Sequence, residues 1–259
     1  MISELFSLLV LSIIINLIIF LIAYLLKSDK FTDITYALTF LILILIALFQ
    51  NNFNFYNLIL VILITIWAVR LGSFLFIRIN YFKKDRRFDG IREDFTKFMG
   101  FFLLQGLTTW IILIPSLLFI FGQTKSINFL FFLGIIIWIK GFLFEAISDY
   151  QKFKFIKNKK NKNKFINRGL WKYSRHPNYY GEILCWLGIF ILTSPTLYIK
   201  SLPILFLGLV SPLFIYLLLR YVSGVKILEK NSDKKFKNNK KYKQYKKETN
   251  LLIPWFKKK

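Results

Sequence analysis

The chain has 259 residues, of which 56 % are hydrophobic and 19 % aromatic, with a mean hydropathy of +0.51 and a formal net charge of +24. The apolar residues fall in long runs with the charges packed between them, which excludes an ordinary soluble globule and a disordered chain. Cys185 and His176 are the only cysteine and the only histidine, which excludes a disulfide scaffold, a histidine-rich di-iron oxygenase and a His/Cys zinc site.

A membrane-spanning helix needs roughly 20 mostly apolar residues. In chain order seven segments qualify: Ile2–Leu26, Asp33–Phe49, Tyr56–Ile79, Phe98–Phe121, Ile127–Ile147, Ile183–Ile199 and Leu202–Val222. They predict an all-α, multi-pass membrane protein. The first segment lacks a basic start and a small-residue cleavage site, so it reads as a span and not as a cleavable signal. The second and sixth are short. The sixth is expected to break near Pro195, which would make one of the two re-entrant. No repeat and no Gly/Ser linker is visible, so the chain reads as a single membrane domain over residues 1–259.

Positive charge marks the cytoplasmic side of a bilayer. The loops after segments one, three and five, with the tail after segment seven, hold 31 Lys and Arg, against 2, Lys125 and Lys200, on the other side. This predicts an outside N-terminus and a cytoplasmic C-terminus. Lysines number 29 of the 37 basic residues and mix with Asn, Ile and Phe, as an AT-rich genome produces. They serve as topology determinants beside anionic headgroups, so no nucleic-acid partner is expected.

Ionisable residues inside spans are costly and usually functional. Arg70 and Arg78 lie about two turns apart in segment three. Lys140, Glu145 and Asp149 lie towards the cytoplasmic end of segment five, with the two carboxylates on one face. Arg220 lies near the end of segment seven. Snorkelling at helix ends is the bland alternative, strongest for Arg220 and Lys140.

The most informative stretch, residues 167–182, reads Asn-Arg-Gly-Leu-Trp-Lys-Tyr-Ser-Arg-His-Pro-Asn-Tyr-Tyr-Gly-Glu. Pro177 suits the first turn of a helix, whose free N–H groups attract anions. Arg168, Lys172 and Arg175 add fixed charge, and the one imidazole is here. The stretch could cradle a phosphate-bearing ligand, or it could be an aromatic interfacial anchor built on Trp171, Tyr173, Tyr179 and Tyr180.

This stretch resembles the signature of the steroid 5-alpha-reductase superfamily, and more closely its bacterial branch, domain of unknown function 1295. That pattern is Gly-Leu-Trp-x-Tyr-(Ser/Thr)-Arg-His-Pro-Asn-Tyr-Phe-Gly-(Glu/Asp); Tyr180 replaces its Phe. Other similarities follow in order: Asp33; Trp67, Arg70, Leu71 and Arg78; Asp85, Arg86, Arg87, Phe88 and Arg92; Gln105; Gly141, Glu145, Asp149, Gln151 and Phe155; Ser223-Gly224-Val225, Glu229, Tyr242, Tyr245, Thr249 and Pro254-Trp255.

The resemblance implies seven helices in a bacterial inner membrane, with NADPH bound on the cytoplasmic side without a Rossmann unit, residues 1–125 forming the substrate-side helices and residues 126–259 the cofactor-binding helices, loop and tail. Its contacts would be Arg70, Arg78, Glu145, Asp149, Arg168, Tyr173, Arg175, His176, Asn178 and Glu182, with Tyr242 and Tyr245 folding back over the site. In the steroid reductases an Asn stands where Glu145 is. The implied reaction reduces a carbon–carbon double bond conjugated to a carbonyl. Asp33 and Tyr36 are the acid candidates by position and chemistry; a helix N-cap is the structural alternative for Asp33. Trp67 stands where the steroid enzymes have a tyrosine. Indole donates one hydrogen bond but is no proton acid, which favours an apolar enone-like lipid other than a steroid.

Two other readings compete. The Arg-His-Pro-x-Tyr-x-Gly motif and a Glu…Tyr tail also resemble isoprenylcysteine carboxyl methyltransferase, which would bind S-adenosylmethionine. A non-enzymatic lipid-binding membrane protein is the third. No metal is expected under any of them.

Overall fold

A computed structural model describes residues 1–51, 53–82, 88–122 and 125–256. Lys83, Lys84, Asp85, Arg86 and Arg87, and the terminal Lys257, Lys258 and Lys259, lie outside the described residues. The described chain is helical, without strands, and seven of its helices are long and apolar enough to cross a membrane. Six of them are α1 (Ile2–Leu25), α2 (Lys30–Phe49), α3 (Phe55–Phe82), α4 (Phe95–Ile120), α5 (Phe129–Lys157) and α6 (Pro177–Lys200). The seventh, α7 (Leu202–Leu217), runs on through a π turn at Leu218–Val222. Two short polar helices follow, α8 (Val225–Lys235) and α9 (Lys240–Glu248).

The seven spans stand where the apolar runs put them, with two corrections. Helix α6 is not broken near Pro195, which lies inside it. Proline is tolerated in a membrane helix where neighbouring hydroxyls take up the disturbed polar groups. Beside Pro195, Thr196 ties α6 to the segment before α5: its Oγ1 accepts from Ser126 N–H at 3.0 Å. Nor does Asp33 cap α2. The helix starts a turn earlier, so Asp29 takes the N-cap position and Asp33 lies in the first turn. Pro177 is the first residue of α6.

The chain divides into two compact units, Met1–Ile127 with Thr193–Ser211, and Asn128–Leu192 with Pro212 onward. In the first unit α1 packs on α4 and α2, and α2 packs on α3. Phe20 of α1 is wedged among Phe98 and Phe102 of α4, edge to face with Phe98 at 6.0 Å. The loop before α4 is pinned by buried Arg92, whose Nη1 donates to Asp29 Oδ1 at 2.8 Å and Nη2 to Asp89 Oδ1 at 2.5 Å.

In the second unit α5 and α6 cross at glycines. A Cβ on Gly134 would lie 2.6 Å from Gly188 O, and one on Gly141 2.7 Å from Gly181 O. Each pair is seven residues apart on its own helix, two turns, so the small residues share a face. Without a hydrophobic driving force between helices in lipid, such close backbone approach supplies the packing. It also sets Gly181, near the start of α6, directly against the backbone of Glu145.

Candidate functional site

The second unit gathers ten of the sequence-predicted site residues: Glu145, Asp149, Arg168, Tyr173, Arg175, His176, Asn178, Glu182, Tyr242 and Tyr245. Gly181 packs directly on Glu145 (2 % exposed), and Asp149 (7 %) is buried one turn further along α5. The following loop is folded by local constraints. Gly169 takes a left-handed φ of 61°, opening the short 3₁₀ turn Gly169–Lys172. Leu170 N–H donates to Gln151 Oε1 at 2.9 Å, and the Trp171 indole donates to Ser148 O at 3.0 Å. Arg168 lies over the Phe155 ring at 5.0 Å.

The tail then closes on this loop. Arg175 N–H donates to Asn250 O at 2.9 Å, Ser174 Oγ to Leu252 O at 2.6 Å, and Trp255 N–H to Tyr173 O at 3.3 Å. Tyr245 OH donates to Trp171 O at 2.6 Å, and Phe165 packs among Phe236, Tyr242 and Tyr245. Burial raises both tail phenols above their ordinary pKa, and the Asp233 carboxylate adds to this for Tyr242. They stay neutral hydroxyl donors.

Glu229 of α8 is the hub of the arrangement. Its Oε1 lies 2.9 Å from His176 Nε2, and its Oε2 takes the Arg175 guanidinium and lies 3.7 Å from Lys246 Nζ. Lys246 also reaches Asp233 Oδ2 at 2.6 Å, and Asp233 Oδ1 accepts from Tyr242 OH at 3.0 Å. Burial holds the His176 pKa below its ordinary 6.5, against the opposing pull of the Glu229 hydrogen bond, and Lys152 and Arg175 lower it further. The imidazole is neutral at pH 7. Beside this hub lies a cleft of ≈ 500 Å³ lined by Arg175, Arg220, Lys226, Lys230 and Asp233 among others. Three buried polar atoms of the motif have no hydrogen-bond partner among the described residues: Arg175 Nε, His176 Nδ1 and Asn178 Oδ1.

Sequence reasoning matched Glu229 but gave it no role, and it passed over Asp233 and Lys246. The available signal was the spacing of Glu229 and Asp233, four apart on an amphipathic helix and so on one face. Arg220, assigned to snorkelling, lines the cleft; Lys140 is exposed on α5.

The other predicted residues lie in the first unit. Arg78 Nη2 reaches Asp33 Oδ2 at 3.3 Å, both partly buried. Tyr36 meets the edges of Phe40 and Trp67, at 5.0 and 6.4 Å between centroids, and Trp67 is 1 % exposed. Arg70 lies one turn beyond Trp67 on the same helix, partly buried. α2 and α3 thus bring Asp33 to Arg78 and Tyr36 to Trp67. Among the described residues no group of three or more His, Cys, Asp and Glu is placed to hold a metal ion.

No curated protein and no solved structure matches the chain. A family model does, over residues 19–249, which include every residue of the hub. By that match the chain belongs to the family described as protein of unknown function (DUF1295).

Proposed function

We propose that the protein is a membrane-embedded, NADPH-dependent reductase of a carbon–carbon double bond in an apolar enone-like lipid, with its basic loops and tail in the cytoplasm. What carries this reading is the conjunction in the second unit of a cleft lined by Arg175, Arg220, Lys226 and Lys230, with Glu229 and Asp233, and of buried polar atoms that lack partners among the described residues. Arg220, Lys226 and Lys230 supply charge for phosphate groups, and a guanidinium suits a 2′-phosphate in particular. The orphaned atoms of Arg175, His176 and Asn178 suit a ligand with its own donors and acceptors, since leaving them unmet is costly. These residues fit a phosphorylated dinucleotide.

When bound, the nicotinamide supplies hydride to the β-carbon of the enone. The chain supplies the rest. Tyr36 holds the proton that the α-carbon needs. The Arg78 guanidinium and the Trp67 indole N–H would stabilise the negative charge that builds on the carbonyl oxygen. Asp33, paired with Arg78, orients that guanidinium. This gives the acid role to Tyr36, because a phenol holds its proton at neutral pH and the Asp33 carboxylate is paired with Arg78.

The test is the thermal stability of the detergent-purified protein with NADPH, NADH or S-adenosylmethionine. A ligand at 100 times its dissociation constant stabilises by about 2.7 kcal/mol. A shift selective for NADPH is expected, followed by loss of reduced-cofactor absorbance on adding an enone lipid. A shift with S-adenosylmethionine alone would overturn the reading in favour of methyl transfer.

A further inference from the structure

We propose that Glu229 is a positioning residue that fixes the tautomer of His176, so that His176 Nδ1 and Asn178 Oδ1 act as hydrogen-bond acceptors for a sugar hydroxyl or carboxamide N–H of the bound nucleotide, not for its phosphate. The proposal rests on the nucleotide-binding reading above and refines it.

A carboxylate can only accept hydrogen bonds. The 2.9 Å contact between Glu229 Oε1 and His176 Nε2 therefore places the ring proton on Nε2. The other carboxylate oxygen is occupied by the Arg175 guanidinium, with Lys246 at 3.7 Å, so Glu229 is itself held in place. The ring is stacked on Tyr179, at 5.7 Å and 7° between planes, and the residue's backbone N–H donates to Ser174 Oγ at 3.2 Å. The stack resists rotation of the imidazole, and the backbone bond holds the chain that carries it.

A neutral ring protonated at Nε2 leaves Nδ1 bare. That atom is buried, the residue is 4 % exposed, and Nδ1 has no partner among the described residues. Water does not reach it. Two residues on, in the first turn of α6, Asn178 Oδ1 is a second buried acceptor in the same condition. Acceptors call for donors. A phosphate dianion has none and would meet two lone pairs, whereas a ribose hydroxyl or an amide N–H fits. The anionic groups then belong with Arg220, Lys226 and Lys230 in the neighbouring cleft. The Arg-His-Pro-Asn run thus recognises the neutral part of the ligand, despite the fixed charge around it.

His176 is the only histidine, so ¹⁵N-histidine labelling of the full chain gives one signal per ring nitrogen. At pH 7 the free protein should show a protonated Nε2 and a bare Nδ1, assigned by their couplings to the ring protons. NADPH should move Nδ1 upfield, the direction of an accepted hydrogen bond, and inorganic phosphate should leave it unmoved. Glu229→Gln should give mixed tautomers and weaken NADPH binding about tenfold, with partial recovery in Glu229→Asp. An Nδ1-protonated ring or an imidazolium in the unsubstituted protein would overturn the proposal, whatever the variants do. So would an Nδ1 signal unmoved by NADPH that does raise the thermal midpoint. If no nucleotide raises that midpoint, the reductase reading fails, while the tautomer is still decided by the free protein's spectrum.

Discussion

Each unit buries polar side chains, and the seam around Asn16 in the first contrasts with the hub around Glu229 in the second. In the first, Asn16 of α1 is fully used: Nδ2 donates to Ser12 O at 2.9 Å and Thr39 Oγ1 at 3.2 Å, and Oδ1 accepts from Gln105 Nε2 at 3.0 Å. Ser12 Oγ donates to Gly106 O at 2.8 Å, and Thr39 Oγ1 to Thr35 O at 2.7 Å. The seam is uncharged and closed on itself. The hub around Glu229 is charged, lines an open cleft, and stands among three motif atoms left unmet, Arg175 Nε, His176 Nδ1 and Asn178 Oδ1. A satisfied network in a membrane interior is glue. A partly satisfied one is expensive to keep unless a ligand completes it.

The sharpest way to break the second arrangement is at the glycine crossing that holds it. In Gly181→Ala the new Cβ would lie 2.6 Å from Gly141 O and closer still to Glu145 N, both backbone atoms of a packed helix. Helix α6 must move away from α5, which should cost at least about 3 kcal/mol and abolish nucleotide-dependent stabilisation. Gly100→Ala in α4 is the control, with nothing within 4 Å of its Cβ. It should leave the thermal midpoint unchanged or raise it, since Ala favours a helix over Gly by about 1 kcal/mol. Equal losses in the two variants would mean that the crossing does not hold the site.

Next in size is Glu229→Leu, which leaves Arg175 and His176 without their shared anion. Stranding one partner of a largely buried pair costs about 3 kcal/mol. Thermal unfolding of the detergent-purified protein should show that loss, and the tail should become more accessible to protease, because Arg175 also anchors Asn250. An unchanged midpoint would reduce the hub to a surface ion pair.

The two arrangements differed in how far the sequence exposed them. The seven spans were legible because an apolar run in lipid has one solution, a helix with all its backbone groups satisfied. Pro177 marked the start of α6 because proline costs nothing in a first turn. The Asp33 cap reading failed by one turn: Asp29 lies at the same helix end, and propensity alone does not choose between two aspartates four residues apart. The break at Pro195 failed because a membrane helix can run on through a single proline, as α6 does over Pro177–Lys200. The hub was out of reach for a different reason. Glu229 meets His176 from 53 residues away, through the π turn and Gly224, whose Cβ would lie 2.5 Å from Leu219 O and 2.8 Å from Tyr179 Cε2. No local pattern encodes that return of the chain. The glycine crossing was legible in principle, since the seven-residue spacing of Gly134 with Gly141 and of Gly181 with Gly188 marks one face of each helix.

A smaller effect tests the seam. Asn16→Leu strands Gln105 Nε2 and removes the tie to Thr39. Interhelical hydrogen bonds in membranes are worth about 0.6 kcal/mol on average and up to about 1.7. A midpoint lowered by that much, with the NADPH-induced shift intact, is what glue predicts. Loss of nucleotide response with little loss of stability would instead make the seam part of the functional apparatus.

The smallest effect is one of pH, and it separates the two networks by sign. The seam has no titratable group, so it is indifferent to mild acid. His176 is not. Burial sets its folded pKa below 6.5, Glu229 pulls it back up, and Lys152 and Arg175 push it down. Between the lowered folded value and 6.5 the unfolded chain takes up a proton that the folded chain refuses. Stability from this residue is therefore complete above 6.5 and is lost as pH falls below it, by at most about 1.4 kcal/mol per pH unit. The thermal midpoint should drop between pH 7.5 and 5.5, and the drop should vanish in His176→Gln. Because there is one histidine, no other imidazole can imitate the effect, and solvent-exposed carboxylates titrate below this range. A midpoint that rises towards pH 5.5 would mean that the folded state prefers the imidazolium, with Glu229 outweighing burial, and the hub would then be a complete ion pair, as closed as the seam.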